Sequence, residues 1–203
     1  MVFRIFAALL VFAITFTGYK VWKATHQLDG FYNPSMTFAI RNEGTEGDVK
    51  IVEFLHYGCV GCKKTHAVLM DYAKQNPGVR VIVRPVPVLP EETQFAAERA
   101  LAAGLQGKFW EMDEALSHYD GLYDDKFYRE VCALKEIDCD RLFKDAKGDK
   151  VHEYGQENLT QMGMLGIKTA PALLINNTLY QPRTALTLPD LLRMVEAEKS
   201  RKE

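Results

Sequence analysis

The sequence predicts an α/β fold: a strand–helix–strand unit, an inserted layer of helices, and a closing strand–strand–helix unit that completes one sheet. The apolar run Val49–Leu55 precedes a helix-compatible segment that Asn76-Pro77-Gly78 ends, which is typical of a βαβ unit. Pro85, Pro87 and Pro90 then exclude a continued strand, and helix-compatible sequence follows them.

The closing unit is indicated by a hairpin near the end of the chain. Asn176-Asn177-Thr178 is a turn signal between two short apolar runs, and Thr187 is a typical helix N-cap. The predicted elements in chain order are an edge strand Met36–Ile40, a strand Val49–Leu55, a helix from Cys59 to about Gln75, a strand Val79–Arg84, helices Glu91–Leu105, Phe109–Ser117, Asp125–Lys135 and Asp140–Met164, strands Ala172–Ile175 and Leu179–Tyr180, and a helix Leu188–Lys199.

Length and composition favour one globular domain. The chain has 203 residues, of which 47% are hydrophobic, enough to bury one sizeable core with a modest insertion. We place this domain at residues 49–199, with the helical insertion at about 91–164. The net charge of −2, with acidic and basic residues interspersed, predicts no nucleic-acid partner.

The N-terminus predicts a hydrophobic helix that directs export. Residues 1–23 contain an uncharged run from Ile5 to Tyr19, and we expect residues 5–22 to anchor the protein to the inner membrane. The alternative is a signal peptide, which would leave a soluble protein after cleavage. Residues 24–48 are predicted to be a linker and edge strand. Either interpretation places the protein in the bacterial periplasm, where disulfides persist.

Two cysteines carry the chemical signal. Cys59 and Cys62 follow the predicted central strand and lie in the first turn of the next helix, where unpaired N–H groups and the helix dipole stabilise a thiolate. Their spacing places both sulfurs on one helix face, so they can form a small disulfide ring. Cysteines at this spacing also bind zinc, but Cys132 and Cys139 lack the spacing of a second ligand pair. We therefore favour a redox pair and predict no metal site.

This order of elements resembles the thioredoxin fold of the DsbA-like thiol–disulfide oxidoreductases, over roughly Val49 to Lys199. Three segments carry the resemblance: VEFLHYGCVGC at residues 52–62, FAAERAL at 95–101 and GIKTAPALLIN at 166–176. With its GKFWEM helix at 107–112, the chain is similar to the short exported branch of that family. The resemblance implies a protein disulfide oxidoreductase that needs no cofactor.

The resemblance also implies roles for single residues. Cys59 would be the nucleophile and Cys62 the resolving thiol. Pro171 would follow a cis peptide bond and turn Thr169 and Ala170 towards Cys59, where their backbone can pair with an extended substrate. The alternative is an ordinary proline at the start of a strand.

Glu53, within a predicted apolar strand, would be the buried acid that exchanges a proton with Cys62. The alternative is an outward-facing residue in a salt bridge. His56 and His66 lie near the cysteines in sequence, where they either stabilise a thiolate or remain solvated on the surface. Cys132 and Cys139 form a possible structural disulfide, or are two separate buried thiols.

The expected substrates are exported proteins with thiols or disulfides. The expected electron partner is a membrane protein, DsbB-like if the enzyme oxidises and DsbD-like if it reduces or isomerises. An oxidase is favoured because residues 28–48 are too short for the dimerisation domain of the isomerases, although Val60-Gly61 between the cysteines favours a reductase or isomerase. The alternative from another class is a non-catalytic metal-binding or chaperone module.

Overall fold

The structure is a computed structural model that describes residues 30–42, 49–88 and 91–201. The chain divides into two compact units, Met1–Pro34 and Ser35–Glu203. In the first unit, residues 30–32 are helical. The predicted hydrophobic segment at the N-terminus lies outside the described residues, as does part of the predicted linker. Among the described helices, none combines the length and the apolar character needed to cross a bilayer.

Within the described residues of the second unit, five strands form one mixed sheet. Their bounds are Ile40–Arg41 (β1), Lys50–Leu55 (β2), Arg80–Pro85 (β3), Ala172–Ile175 (β4) and Thr178–Tyr180 (β5). They are arranged in the order β1-β3-β2-β4-β5. The strands β2 and β3 are parallel, with Ile51 opposite Val81, whereas the other neighbouring pairs are antiparallel. Parallel neighbours need a long crossover connection, which is usually a helix.

The helices supply that crossover and the inserted layer. Their bounds are Val60–Gln75 (α1), Glu91–Gly104 (α2), Phe109–His118 (α3), Asp125–Lys135 (α4), Cys139–Asp145 (α5), Asp149–Met164 (α6) and Leu188–Ser200 (α7). The helix α1 connects β2 to β3, the helices α2 to α6 lie between β3 and β4 along the chain, and α7 follows β5. The predicted order of elements is therefore confirmed.

Side-chain caps fix where several helices begin. The carboxylates of Asp124 and Asp138 accept hydrogen bonds from the backbone N–H groups at the starts of α4 and α5. Thr187 caps α7 as predicted, and the Asp190 carboxylate accepts a hydrogen bond from the Thr187 backbone N–H, which completes a capping box. These caps satisfy N–H groups that have no partner within the helix.

Two predicted elements are wrong in extent. The predicted edge strand Met36–Ile40 is a 3₁₀ turn, Thr37–Ala39, followed by the two-residue strand β1. Met36 and Ala39 are both fully buried, which a turn with a period of three allows and an alternating strand does not. The predicted single helix Asp140–Met164 is two helices, α5 and α6, because Gly148 is extended at the N-cap of α6.

The sheet is covered on both faces at β2. Residues 51–55 are all buried, which explains the continuous apolar run in the sequence. Because side chains alternate along a strand, Glu53 shares a face with Ile51 and Leu55, which belong to the main hydrophobic core. The carboxylate of Glu53 therefore points into the core rather than to solvent.

The contact between Phe38 and the helical layer can be tested by substituting two helical glycines. A Cβ at Gly104 of α2 would overlap the ring of Phe38, which packs on Phe109 and Tyr154 at centroid distances of 5.6 Å. Gly104→Ala should therefore lower the free energy of unfolding by about 1–3 kcal/mol in urea titrations. At Gly163 of α6 a Cβ meets open space, so Gly163→Ala is the matched control.

The control should raise the free energy of unfolding by up to about 1 kcal/mol, because alanine is the better helix former. Equal stability of the two variants would show that the ring of Phe38 does not fill the space beside Gly104.

Candidate active site

The first cysteine lies at the N-terminus of α1. Cys59 is the N-cap residue, and its Sγ accepts a hydrogen bond from the Cys62 backbone N–H at 3.1 Å. The Cys59 carbonyl accepts from the Lys63 N–H at 3.0 Å, so the helix begins directly after it. The side chain is partly exposed. The N–H donor and the positive end of the helix dipole both stabilise a negative sulfur at this position.

The second cysteine lies one turn further along and is fully buried. Burial raises the pKa of the Cys62 thiol, and the hydrogen bond and charge of Cys59 raise it further. Cys62 therefore keeps its proton at neutral pH. Because the thiolate is the nucleophile in disulfide exchange, Cys62 needs a base before it can attack.

The loop before β4 lies against the dithiol. The Ala170–Pro171 peptide bond is cis, as the resemblance implies. The Cys59 thiol points at the Ala170 carbonyl oxygen at a distance of 4.0 Å. Ala170 and Pro171 are partly exposed, and Thr169 is exposed. The structure thus brings Cys59, Cys62 and the peptide bond before Pro171 together, while the side chain of Thr169 faces solvent.

Glu53 lies in the core, as predicted, and the outward-facing alternative is wrong. It is fully buried, and its Oε2 is 2.7 Å from His66 Nδ1. The other ring nitrogen, His66 Nε2, is 3.0 Å from Asp113 Oδ2 on α3. The side chain of His66 is 3% exposed, so the interpretation that placed it on the surface is also wrong.

Two members of this buried cluster, Asp113 and Tyr57, were missed in the sequence. Asp113 is 2% exposed, and the Tyr57 hydroxyl donates to its Oδ1 at 2.7 Å. Burial alone would lower the pKa of His66, but the carboxylates of Asp113 and Glu53 outweigh it and raise that pKa well above its ordinary value. The ring is therefore a cation that donates to both carboxylates. A carboxylate on the apolar face of α3 was the available sequence signal.

The loop between β2 and α1 packs closely on the helical layer. A methyl group on Gly58 would overlap Cγ2 of Thr93 on α2, and Thr93 Oγ1 is 2.9 Å from His56 Nε2. The His56 carbonyl accepts from the Cys59 N–H at 3.1 Å. Burial lowers the pKa of His56, so its ring is neutral at neutral pH and adds no positive charge beside Cys59.

A groove of about 900 Å³ opens beside this loop. Its lining includes Val60 and Leu122, whose side chains are 62% and 76% exposed. Lys63 of α1 and Asp120 also line the groove, and they form an ion pair with Nζ and Oδ1 2.9 Å apart. The groove therefore offers apolar and polar contacts next to the partly exposed sulfur of Cys59.

The other two cysteines are neighbours away from this loop. Cys132 is near the end of α4 and Cys139 begins α5, where the Cys139 thiol points at the Tyr128 carbonyl oxygen at 4.0 Å. All four cysteines are free thiols in the structure. Burial and the contact with Cys139 raise the pKa of Cys132. A disulfide between Cys132 and Cys139 stays a prediction.

Comparison with known proteins agrees with this geometry. The thioredoxin family model matches residues 44–196. A Na⁺/H⁺ antiporter, NhaA 3 of Salinispora tropica, is 32% identical over 108 residues, which cover 52% of this chain. The match spans only 16% of the antiporter's own length.

Solved structures extend the similarity to the whole fold. A thioredoxin-like oxidoreductase from Silicibacter pomeroyi has a TM-score of 0.76 and 26% identity, covering 86% of this chain and 98% of that one. The thiol-disulfide exchange protein alpha-DsbA2 from Wolbachia pipientis has a TM-score of 0.72 and 23% identity, covering 91% and 96%. The chain therefore belongs to the thioredoxin family and has the mixed α/β fold of its thiol–disulfide oxidoreductases.

Proposed function

We propose that this thiol–disulfide oxidoreductase exchanges disulfides with exported protein substrates and acts mainly as a disulfide donor. The observation that carries the proposal is the asymmetry of the two thiols. Cys59 is partly exposed at a helix N-terminus, whereas Cys62 is fully buried beside it. A substrate sulfur can reach the first thiol and not the second, which supports a role for Cys59 as the attacking thiol and for Cys62 as the resolving thiol.

In the donor direction, two successive thiol–disulfide exchanges move two electrons from the substrate to the enzyme. A substrate thiolate attacks Cys59 Sγ, the Cys59–Cys62 bond breaks, and Cys62 leaves with the electron pair and takes up a proton. A second substrate thiolate then attacks the substrate sulfur of the mixed disulfide, and Cys59 leaves as a thiolate. The substrate loses two electrons and gains a disulfide, while the enzyme becomes a dithiol. Reduction of a substrate disulfide runs through the same steps in reverse.

The loop before β4 would hold the substrate. The backbone at Thr169 and Ala170 is exposed or partly exposed, and Ala170 O faces Cys59. An extended peptide that pairs with this backbone would bring its cysteine to Cys59, and Pro171 would fix the direction of the loop.

Glu53 would exchange the proton of Cys62. It is a buried carboxyl group whose charge contributes to the raised pKa of the Cys62 thiol. Proton transfer to Glu53 would therefore favour the thiolate that Cys62 must become when it attacks.

Donation rather than reduction is supported by the stabilisation of the thiolate on Cys59. The Cys62 N–H and the start of α1 stabilise reduced Cys59, and a stabilised reduced form makes the disulfide a stronger oxidant. The neutral ring of His56 does not add to this effect. Disulfide reduction or isomerisation is the alternative.

We also propose a periplasmic location for the catalytic domain, residues 49–199. Residues 1–23 would be the anchor or signal, and residues 24–48 the linker and edge strand. The uncharged run before Tyr19 and the oxidising compartment that a donor needs support this location. The membrane partner would be DsbB-like for a donor, which has to be reoxidised, and DsbD-like for a reductant.

Trapping of mixed disulfides tests the assignment of the two thiols. Cys62→Ala should accumulate covalent complexes with exported proteins, because the resolving thiol is absent, and Cys59→Ala should give none. Cys139→Ala is the matched control, since its thiol is also partly exposed but lies away from the loop, and it should exchange disulfides like the wild type. Non-reducing electrophoresis of acid-quenched cells measures the complexes. Complexes with Cys59→Ala and none with Cys62→Ala would reverse the assignment.

The direction of transfer is tested by the reduction potential of the Cys59–Cys62 couple, titrated against glutathione. A value above about −150 mV is expected for a disulfide donor. A value below about −220 mV would instead mark a reductant and overturn the donor direction. Absence of a reversible couple would contradict the redox function itself.

A further inference from the structure

A chain of four buried, hydrogen-bonded titratable side chains extends from the central strand to the helical layer. Glu53 on β2 contacts His66 on α1, His66 contacts Asp113 on α3, and Asp113 accepts from Tyr57, which follows β2. The heavy-atom distances are 2.7, 3.0 and 2.7 Å. All four side chains are at most 3% exposed. Core packing alone does not need so many charged groups in one place.

The two oxygens of Glu53 are used differently. Oε2 accepts from His66, whereas Oε1 is buried without a hydrogen-bond partner. A buried carboxylate oxygen left without a partner costs free energy, so its retention needs an explanation. A proton from Cys62 would satisfy this oxygen, and the charge of Glu53 acts on that thiol.

The far end of the chain reaches a second groove. His66 and Asp113 both line a cavity of about 530 Å³ between α1 and α3, which also borders Arg41 and Trp110. This cavity is open to solvent. The groove lined by Val60 and Leu122 adjoins this cavity, and the two share Ala67, Ser117 and His118.

We propose that His66 is a positioning residue for the resolving thiol: held between Glu53 and Asp113, it binds Oε2 of Glu53 and supplies a counter-charge, which leaves Oε1 for the proton of Cys62. The inference rests on the proposed roles of Cys59 and Cys62. It adds that the helical layer, through Asp113, holds the imidazolium in place.

The proton that moves is the one on Cys62. When Cys62 attacks a mixed disulfide on Cys59, its proton passes to Glu53 Oε1, the sulfur electron pair forms the Cys59–Cys62 bond, and the substrate leaves as a thiolate. In the donor direction Cys62 is the leaving group, and the proton returns from Glu53. His66 stays a cation throughout and acts only through Glu53.

Other charged groups around His66 come from each element packed on it. The titratable groups that share its cluster or its groove are Glu53 of β2, Arg41 of β1, Glu111, Asp113, Glu114 and His118 of α3, and Asp71 and Lys74 of α1. Helix α7 also packs on α1, but its buried carboxylate, Glu198, is bonded to Tyr180 of β5. The direct partners of the ring are the two carboxylates of Glu53 and Asp113.

The test follows the resolving step alone. Every protein compared also carries Cys132→Ala and Cys139→Ala, because those two thiols are free as well. Its reduced form reacts with one equivalent of 5,5′-dithiobis(2-nitrobenzoate): Cys59 releases the first coloured thiolate, and Cys62 then releases the second by closing the disulfide. Stopped-flow absorbance is recorded across pH for the wild type, His66→Gln and Glu53→Gln. His152→Gln is the matched control, because His152 is an exposed histidine on α6.

In His66→Gln the buried carboxylates lose their counter-charge and hold a proton to higher pH. The second phase should be about tenfold slower near pH 6, and its pH profile should shift upward by about one unit, so that the rate recovers as the pH rises. The first phase should be unchanged. In Glu53→Gln the second phase should be slow at all pH values, and His152→Gln should match the wild type.

An unshifted pH profile in His66→Gln, whatever the absolute rate, would overturn the inference, since a merely structural role lowers the rate uniformly. A fast second phase in Glu53→Gln would instead contradict the proposed role of Glu53. A second phase that survives in Cys62→Ala would contradict the redox pair. The three failures are therefore distinguishable.

If His66→Gln does not fold, a measurement on the wild type tests the inference instead. Nitrogen NMR of the reduced protein should show the His66 ring with both nitrogens protonated at about pH 8, well above the range of an ordinary histidine. A neutral ring at that pH would overturn the inference.

Discussion

The parallel pairing of β2 and β3 is the constraint on which the active site depends. Parallel neighbours need a crossover, so the chain must leave β2 and enter α1 at one edge of the sheet. Cys59 occupies that point as the N-cap of α1. Antiparallel β4 begins where β2 ends, with Ala172 opposite Phe54, which brings Pro171 to the same edge. The sheet order thus places a thiol, a helix N-terminus and the loop before Pro171 together.

A second constraint is the burial of charge. An isolated buried carboxylate is strongly destabilising, and Glu53 and Asp113 are both buried. Each has His66 as a partner, and Asp113 also accepts from Tyr57. Three elements therefore share the cost of keeping a charged group in the core. The helical layer contributes Asp113. It therefore supplies a charge to the buried cluster around His66 as well as the wall of a groove.

Features that depend on local sequence were predictable. Cys59 and Cys62 are recognisable because the strand before them and the helix after them are each continuous patterns, and Thr187 caps α7 through its own side chain. The contact of His66 with Asp113 was not predictable, because the two residues are 47 positions apart and meet only when α3 packs on α1. The break at Gly148 was missed because helix-compatible residues surround it, and one glycine seldom ends a helix by itself.

The contact of Gly58 with Thr93 has a mechanical consequence. No side chain fits between them, so the wall of the groove touches the backbone of the dithiol loop directly. Thr93 is hydrogen-bonded to His56, whose carbonyl holds the N–H of Cys59. A displacement of Thr93 would therefore reach the backbone of Cys59 through two hydrogen bonds. The position of the Cys59 sulfur consequently depends on the wall of the groove as well as on the start of α1.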